Sequence, residues 1–220
     1  MPETPQRSYG GQSADARRLQ RRARLLDAAL DAMDDNRWRT ITVDKLCAAA
    51  GLNKRYFYES FSGLDEVATS AVDEIADEVR ASTLAAVAAT LAEPLDKQAF
   101  AAVDALVRTL TRDPRRARVL LGSVASSAAV QQHRDSVLRG LTGVLVGHAR
   151  TVHDVELEKD PLALVAPAFI IGGTADAILA FVNGATDVSV GDLVASLATL
   201  WLVTGNGAAE IARARIGGSG

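Results

Sequence analysis

The sequence predicts an all-α protein of about nine helices, a short helix-turn-helix unit at the N-terminal end followed by a larger helical body. Three observations carry this. Apolar residues recur three and four positions apart through most of the chain, and convincing period-2 alternation is absent. Breaks at Glu93-Pro94, Asp113-Pro114 and Asp160-Pro161 cut the pattern into helix-length pieces. Residues 42–61, "TVDKLCAAAGLNKRYFYESF", hold two short apolar-periodic runs hinged on a glycine.

The elements follow in order. Residues 1–15 are polar, with Pro, Gln and Gly and no apolar stretch, which predicts a disordered arm and no signal peptide. From Ala16 to Asp35, Leu19, Ala23, Leu26, Leu30 and Met33 form one stripe, with Arg17, Arg18, Arg21, Arg22 and Arg24 clustered at its start. Asn36 to Ile41 is a turn. Thr42 is a good N-cap for a helix whose Val43, Leu46, Cys47 and Ala50 share a face. Gly51 supplies the left-handed residue that ends it, and Asn53 caps the next helix. A long Ala-rich helix runs from Leu64 to about Leu91, with acidic first turns that suit its dipole.

Leu95 to Thr111 follows, with Phe100, Val103, Leu106, Val107 and Leu110 at helical spacing. Pro114 fits the first turn of a short helix ending near Gly122. Val130 to His153 is the next helix, with Val137, Leu138, Leu141, Val144 and Leu145 inward. Leu162 to Ala185 carries Asp176 as its only charge. Pro167, Gly172, Gly173, Thr174, Asp176 and Asn183 interrupt it and basic flanks are missing, so it predicts an interface helix and not a membrane span. The last helix starts at Val190 and continues to Arg215, leaving 216–220 as a flexible tail.

The chain's 220 residues and 48% hydrophobic content supply a sizeable core. Net charge is −3, unevenly divided: residues 1–60 hold 11 Lys and Arg against 8 Asp and Glu, and residues 61–220 hold 13 against 19. A basic end on an acidic body points to an anionic partner for the first segment. Cys47 is the lone cysteine, which excludes an intrachain disulfide and a thiolate metal cluster, suits a reducing cytoplasm, and predicts a small core residue.

Within residues 42–61, Phe57 and Phe61 are four apart and face the core with Leu46. Arg55, Tyr58 and Glu59 then point away, and Lys54 lies at the exposed N-terminal end of the second helix. Together these make a cationic, hydrogen-bonding tip, of the kind that meets base edges in a DNA major groove. Arg and Lys suit guanine O6 and N7, and a tyrosine hydroxyl can donate to phosphate.

That stretch, followed by "SGLDEV", resembles the DNA-binding signature of the TetR family of transcriptional repressors. The likeness covers residues 16–72, about a third of the chain. It implies a DNA-binding domain over 16–62 and an effector-binding and dimerisation domain over 63–215. It implies a phosphate contact for Thr42 and reading or phosphate-contact roles for Lys54, Arg55 and Tyr58. Tyr56 is a further DNA-contact candidate, standing where the family often has a phosphate-binding Thr or Ser and offering a larger phenol in its place. Leu64 stands where many members place a phosphate-binding Lys, and Arg17, Arg18 and Arg21 could compensate from the first helix.

A single helix-turn-helix buries too little surface to select one genomic site, which predicts a homodimer on a palindromic double-stranded operator. Gly172, Gly173 and Ala175 would allow close helix approach in the dimer, with Trp201 as its central anchor. The resemblance implies a small-molecule effector enclosed by the middle helices. Candidate contacts are Leu84, Val87, Phe100, Leu106, Leu141, Leu145 and Phe169, with Asp176 and His148 as polar handles. Such a lining favours an apolar or amphipathic effector. No cofactor, metal site or catalytic constellation is expected: the chain lacks a Gly-rich phosphate loop and an H-E-x-x-H, and His133, His148 and His153 lack metal-ligand spacing. The remaining alternative is a helical dimeric interaction protein whose N-terminal domain docks a protein in place of DNA.

Overall fold

The computed structural model describes residues 14–122, 127–152 and 159–217. Residues 1–13 of the expected arm, His153 and residues 218–220 of the tail lie outside them. Among the described residues there are nine α-helices, one 3-10 turn and no strand. The helices are α1 (Ala14–Asp34), α2 (Val43–Ala49), α3 (Lys54–Tyr58), α4 (Leu64–Ala89) and α5 (Leu95–Thr111). They continue with α6 (Pro114–Leu121), α7 (Ala128–Val152), α8 (Pro161–Val182) and α9 (Val190–Gly217). The 3-10 turn, Arg37–Thr40, follows Asn36, whose φ of 60° makes the left-handed turn that a short polar side chain tolerates.

Most boundaries are set by local chemistry. Asp113 and Asp160 cap α6 and α8, each accepting from a backbone N–H two residues on, and each is followed by proline at the first helical position. At the start of α4, Ser62 donates its backbone N–H and its hydroxyl to Glu66 Oε2, at 2.6 and 2.7 Å. That carboxylate also suits the positive end of the helix dipole. Gly51 takes φ +61° and ends α2. α9 runs without interruption through Gly205 and Gly207.

One continuous hydrophobic cluster joins the small N-terminal unit to the body. Leu25, Ala29 and Met33 of α1, Trp38 of the 3-10 turn, Leu46 of α2, and Phe57 and Phe61 form its N-terminal end. Val67, Val72, Ile75 and Val79 carry it along α4 to Val103, Val107 and Leu110 of α5. Ile178 of α8 and Leu193, Val194 and Leu197 of α9 close it. α4 is therefore the spine, packed on α1 at one end and on α5 and α7 along its length.

The α1 stripe differs from expectation at its start. Leu19 is 65% exposed and Ala23 is exposed, whereas Leu25, Ala28, Ala29 and Ala32 are buried beside Leu26 and Met33. The first turns of α1 project past the small core and leave Leu19 in solvent; the buried face begins at Leu25, and α2, α3, α4 and α6 all pack on this helix. Trp38, 6% exposed, joins this core from the 3-10 turn, which packs on α1.

A second connection is ionic. Arg115 of α6 reaches Asp27 at 2.9 Å and Asp31 at 2.6 Å on α1, while bonded to its own cap residue Asp113. Arg118 pairs with Asp34 and donates to the Val182 carbonyl at the end of α8, 3.2 Å away. Arg112 and Arg116 both pair with Glu78 of α4. Burial pushes the Glu78 carboxyl up, but the two guanidiniums outweigh it and hold it below the ordinary glutamate value. His133 of α7 lies 2.7 Å from Asp73 of α4 in a structural contact.

Candidate DNA interface and the cavity behind it

The helix-turn-helix is assembled by capping and by two phenylalanines. Thr42 Oγ1 accepts from the Lys45 backbone N–H at 3.3 Å, and Asn53 Oδ1 accepts from the Tyr56 backbone N–H at 3.2 Å. Phe57 is fully buried and Phe61 nearly so, their rings 6.0 Å apart beside Leu46. Cys47 is buried, and burial, with Asp44 nearby, pushes its thiol above the ordinary value, so it is an inert packing residue. A Cβ on Gly51 would stand 2.6 Å from Arg24 Nη2, which donates to the Gly51 carbonyl at 3.4 Å.

With Phe57 locked inward, the neighbouring side chains are turned out. Thr42, Lys54, Arg55 and Tyr58 are all exposed on the same small unit. Arg55 is 84% exposed at its side chain and Tyr58 is 61% exposed overall. Lys54 Nζ lies 2.8 Å from Asp44 Oδ1 across the turn; that hydrogen bond and charge hold the ammonium above its ordinary value. Arg17 and Arg18 are exposed at the start of α1.

Arg21 differs from Arg17 and Arg18. It turns back onto α3, its guanidinium carbon 4.3 Å from the centre of the Tyr56 ring, and reaches Glu59 Oε2 at 3.4 Å. Tyr56 is therefore a stacking platform between α1 and α3, and Arg21 is held against it. Glu59 was not among the sequence-predicted site residues, because a lone carboxylate on a cationic helix carries no signal of its own.

Behind this unit lies a cavity of about 400 Å³ between α4, α5, α6, α7, α8 and α9. Of the expected effector contacts, Leu84, Val87, Leu106 and Leu141 line it. The Leu145 and His148 side chains lie outside the described residues. Leu120 and Leu121 of α6 add to the wall, so the helix whose arginines hold α1 also faces the cavity. Among the described residues the wall is apolar except for Arg80, Thr83, Thr174 and the indole nitrogen of Trp201. Thr174 is satisfied twice: it accepts from Trp201 Nε1 at 2.7 Å and donates to the Ile170 carbonyl at 2.7 Å. The Thr83 hydroxyl is buried and has no partner among the described residues.

No protein-family model and no curated protein matches the sequence. Solved structures do match. A TetR-family regulator from Syntrophomonas wolfei aligns with a TM-score of 0.67 at 13% identity, over 85% of this chain and 95% of that one. The fatty acid degradation regulator FadR from Bacillus halodurans aligns at 0.64 and 18%, over 83% and 94%. FadR from Bacillus subtilis, solved with stearoyl-CoA, aligns at 0.63 and 16%, over 83% and 98%. The fold is that of the TetR-family transcriptional regulators.

In this TetR-like body, α8 has two unlike faces. Ile171, Thr174, Ala175 and Ile178 face the cavity, and so does Trp201 of α9. Two of the residues expected at a dimer interface, Ala175 and Trp201, thus sit in the cavity wall. Phe169 and Asp176, expected as effector contacts, are on the other face of α8 and exposed, as are Gly172 and Gly173. Phe100 of α5, 45% exposed, also lies outside the lining. The reason is helical geometry: positions 165, 169, 172 and 176 share one face, and 171, 174, 175 and 178 share the opposite one. Val165 and Phe169 are 60% and 68% exposed, and Leu200 and Val203 of α9 are 57% and 65% exposed. By length and composition α8 could cross a membrane, and 18% of its most apolar window is buried.

Proposed function

We propose that the protein is a sequence-specific DNA-binding transcriptional regulator, a repressor that binds a palindromic operator as a homodimer and is released by an apolar or amphipathic effector. The observation that carries this reading is a core-locked helix-turn-helix presenting Thr42, Lys54, Arg55 and Tyr58 on one exposed side. Lys54 and Arg55 read base edges or phosphate, Thr42 and Tyr58 hold the backbone, and Arg17 and Arg18 add phosphate contacts from α1. The domains divide near residue 62. The exposed apolar face of α8 and α9, with Phe169, Gly172, Gly173, Leu200 and Val203, is the surface covered by the second subunit. A patch that a lone chain leaves in water, on helices that also wall the cavity, is well placed to link ligand to dimer geometry.

The cavity supplies the effector site. At about 400 Å³ it falls within the roughly 300–1,000 Å³ of small-molecule sites. Its apolar wall, and a fold shared with a regulator solved with stearoyl-CoA, support an acyl chain as the buried part of the ligand.

Gel shifts against the region upstream of the protein's own coding sequence, in a salt series, test the reading. The expected result is a complex that outcompetes scrambled DNA, with affinity falling steeply with salt, and a slope reduced by about one in Lys54→Ala. A folded, dimeric sample that forms no sequence-preferring complex with any upstream fragment would instead support the protein-docking alternative.

A further inference from the structure

Arg55 is held by a chain of contacts that begins on another helix. Its Nε donates to Glu59 Oε1 at 3.1 Å, while Glu59 Oε2 accepts from Arg21 Nη2 at 3.4 Å. Arg21 lies over the Tyr56 ring, its guanidinium carbon 4.3 Å from the ring centre, and its side chain is 22% exposed. Each oxygen of Glu59 is thus given to a different arginine. Arg55, in turn, spends only its Nε edge: its two terminal nitrogens have no partner among the described residues, and the side chain is 84% exposed. Those terminal nitrogens are the fork that fits guanine O6 and N7 in the major groove.

We propose that Arg21, Tyr56 and Glu59 are positioning residues that aim Arg55 for bidentate recognition of a guanine in each half-site. The inference rests on the DNA-binding reading above and adds to it a specific base and a specific buttress. An arginine on four rotatable bonds loses much side-chain freedom when it docks, and the loss is smaller when its stem is already fixed. Glu59 fixes it through the edge that the base does not need. The stack on Tyr56 keeps Arg21 off the phosphates and behind the carboxylate, so the negative charge of Glu59 is balanced from the protein side. A phenol at position 56 serves this where a small hydroxyl could not, because only a ring offers a face to a guanidinium.

The test is selection from a randomised duplex library by the full-length protein, then competition gel shifts on the selected site. For the wild type we expect an invariant guanine in each half-site. For Glu59→Gln the preference for that guanine over the other bases should fall about tenfold, the discrimination of one bidentate pair. Affinity for scrambled DNA should rise or stay level, since an anion has been removed. Tyr56→Phe keeps the ring and should keep the preference; Tyr56→Thr should lose most of it. A carboxylate that merely repels the DNA backbone would give Glu59→Gln equal gains on all sequences, and a merely structural one would lower affinity for all sequences equally. Either result overturns the proposal, as does a selected site in which guanine is not required. If the wild type selects no sequence at all while remaining folded and dimeric, the DNA-binding reading fails as well. If a site is selected but Arg55→Ala alone, and neither buttress variant, changes the guanine preference, that reading stands and only the buttress fails.

Discussion

Trp201 and Thr174 offer a measurable link between α9 and α8 at the cavity wall. Thr174 is 4% exposed and takes the Trp201 indole N–H at 2.7 Å. Thr174→Val preserves shape while removing the acceptor, so the indole N–H is left against an apolar wall. A buried donor without a partner costs about 1–3 kcal/mol, and because the cavity opens to solvent, water recovers part of this and sets the loss near the lower end. For a domain of this size about 1 kcal/mol corresponds to roughly 2–4 °C, so thermal unfolding should shift down by about 2–5 °C. Trp201→Phe removes the donor, and the double variant removes both. The assay is a double-mutant cycle on unfolding free energy. Paired residues give a coupling of about 0.5–3 kcal/mol, and here at least 0.5 is expected, with the double variant less damaged than the two single losses combined. Additivity within about 0.3 kcal/mol would show that the bond contributes nothing, and the account of the cavity wall as a satisfied polar clamp in an apolar shell would fail.

Three further outcomes follow from named contacts. Gly51→Ala forces an L side chain to φ +61° and pushes Arg24 Nη2 aside, so denaturant unfolding should show a loss of about 1 kcal/mol or more, with unchanged helix content by circular dichroism. Glu78, held below its ordinary value of 4.5 by Arg116 and Arg112 despite partial burial, stabilises the fold above that pH. That contribution is lost as pH falls through the depressed value, so wild-type stability should drop more steeply than that of Glu78→Gln below about pH 5. Ala175→Phe places a ring in the cavity and should weaken binding of an acyl ligand such as stearoyl-CoA by at least about tenfold in calorimetry.

What could be read from the sequence, and what could not, divides by how many partners a residue has to choose from. Helix α5 starts at Leu95 and ends at Thr111 as expected, because Pro94 and Pro114 leave the chain no alternative. The outward set on α3 was legible for a similar reason: once Phe57 and Phe61 are assigned inward, the 100° step fixes where Lys54, Arg55 and Tyr58 go. α8 had no such constraint. Both of its faces are largely apolar, so periodicity does not say whether Phe169 or Ile171 faces the cavity, and the packing of α6, α7 and α9 on α8 decides it. Phe100, expected in the lining, is 45% exposed on α5, and Trp201, expected at an interface, lines the cavity. Leu19 fails in another way, since a correct helical stripe extends beyond the core it serves. Arg21 is the instructive case. A run of arginines at a helix start reads as one solvated, DNA-facing group, yet the structure separates Arg21 from Arg17 and Arg18 by giving it an aromatic face and a carboxylate. The sequence holds a trace of this: Tyr56 is an aromatic where the resembled family often has a small hydroxyl, and the Arg21 cation rests on it. The departure from pattern at Tyr56 is thus half of a pair whose other half, Arg21, lies on the neighbouring helix.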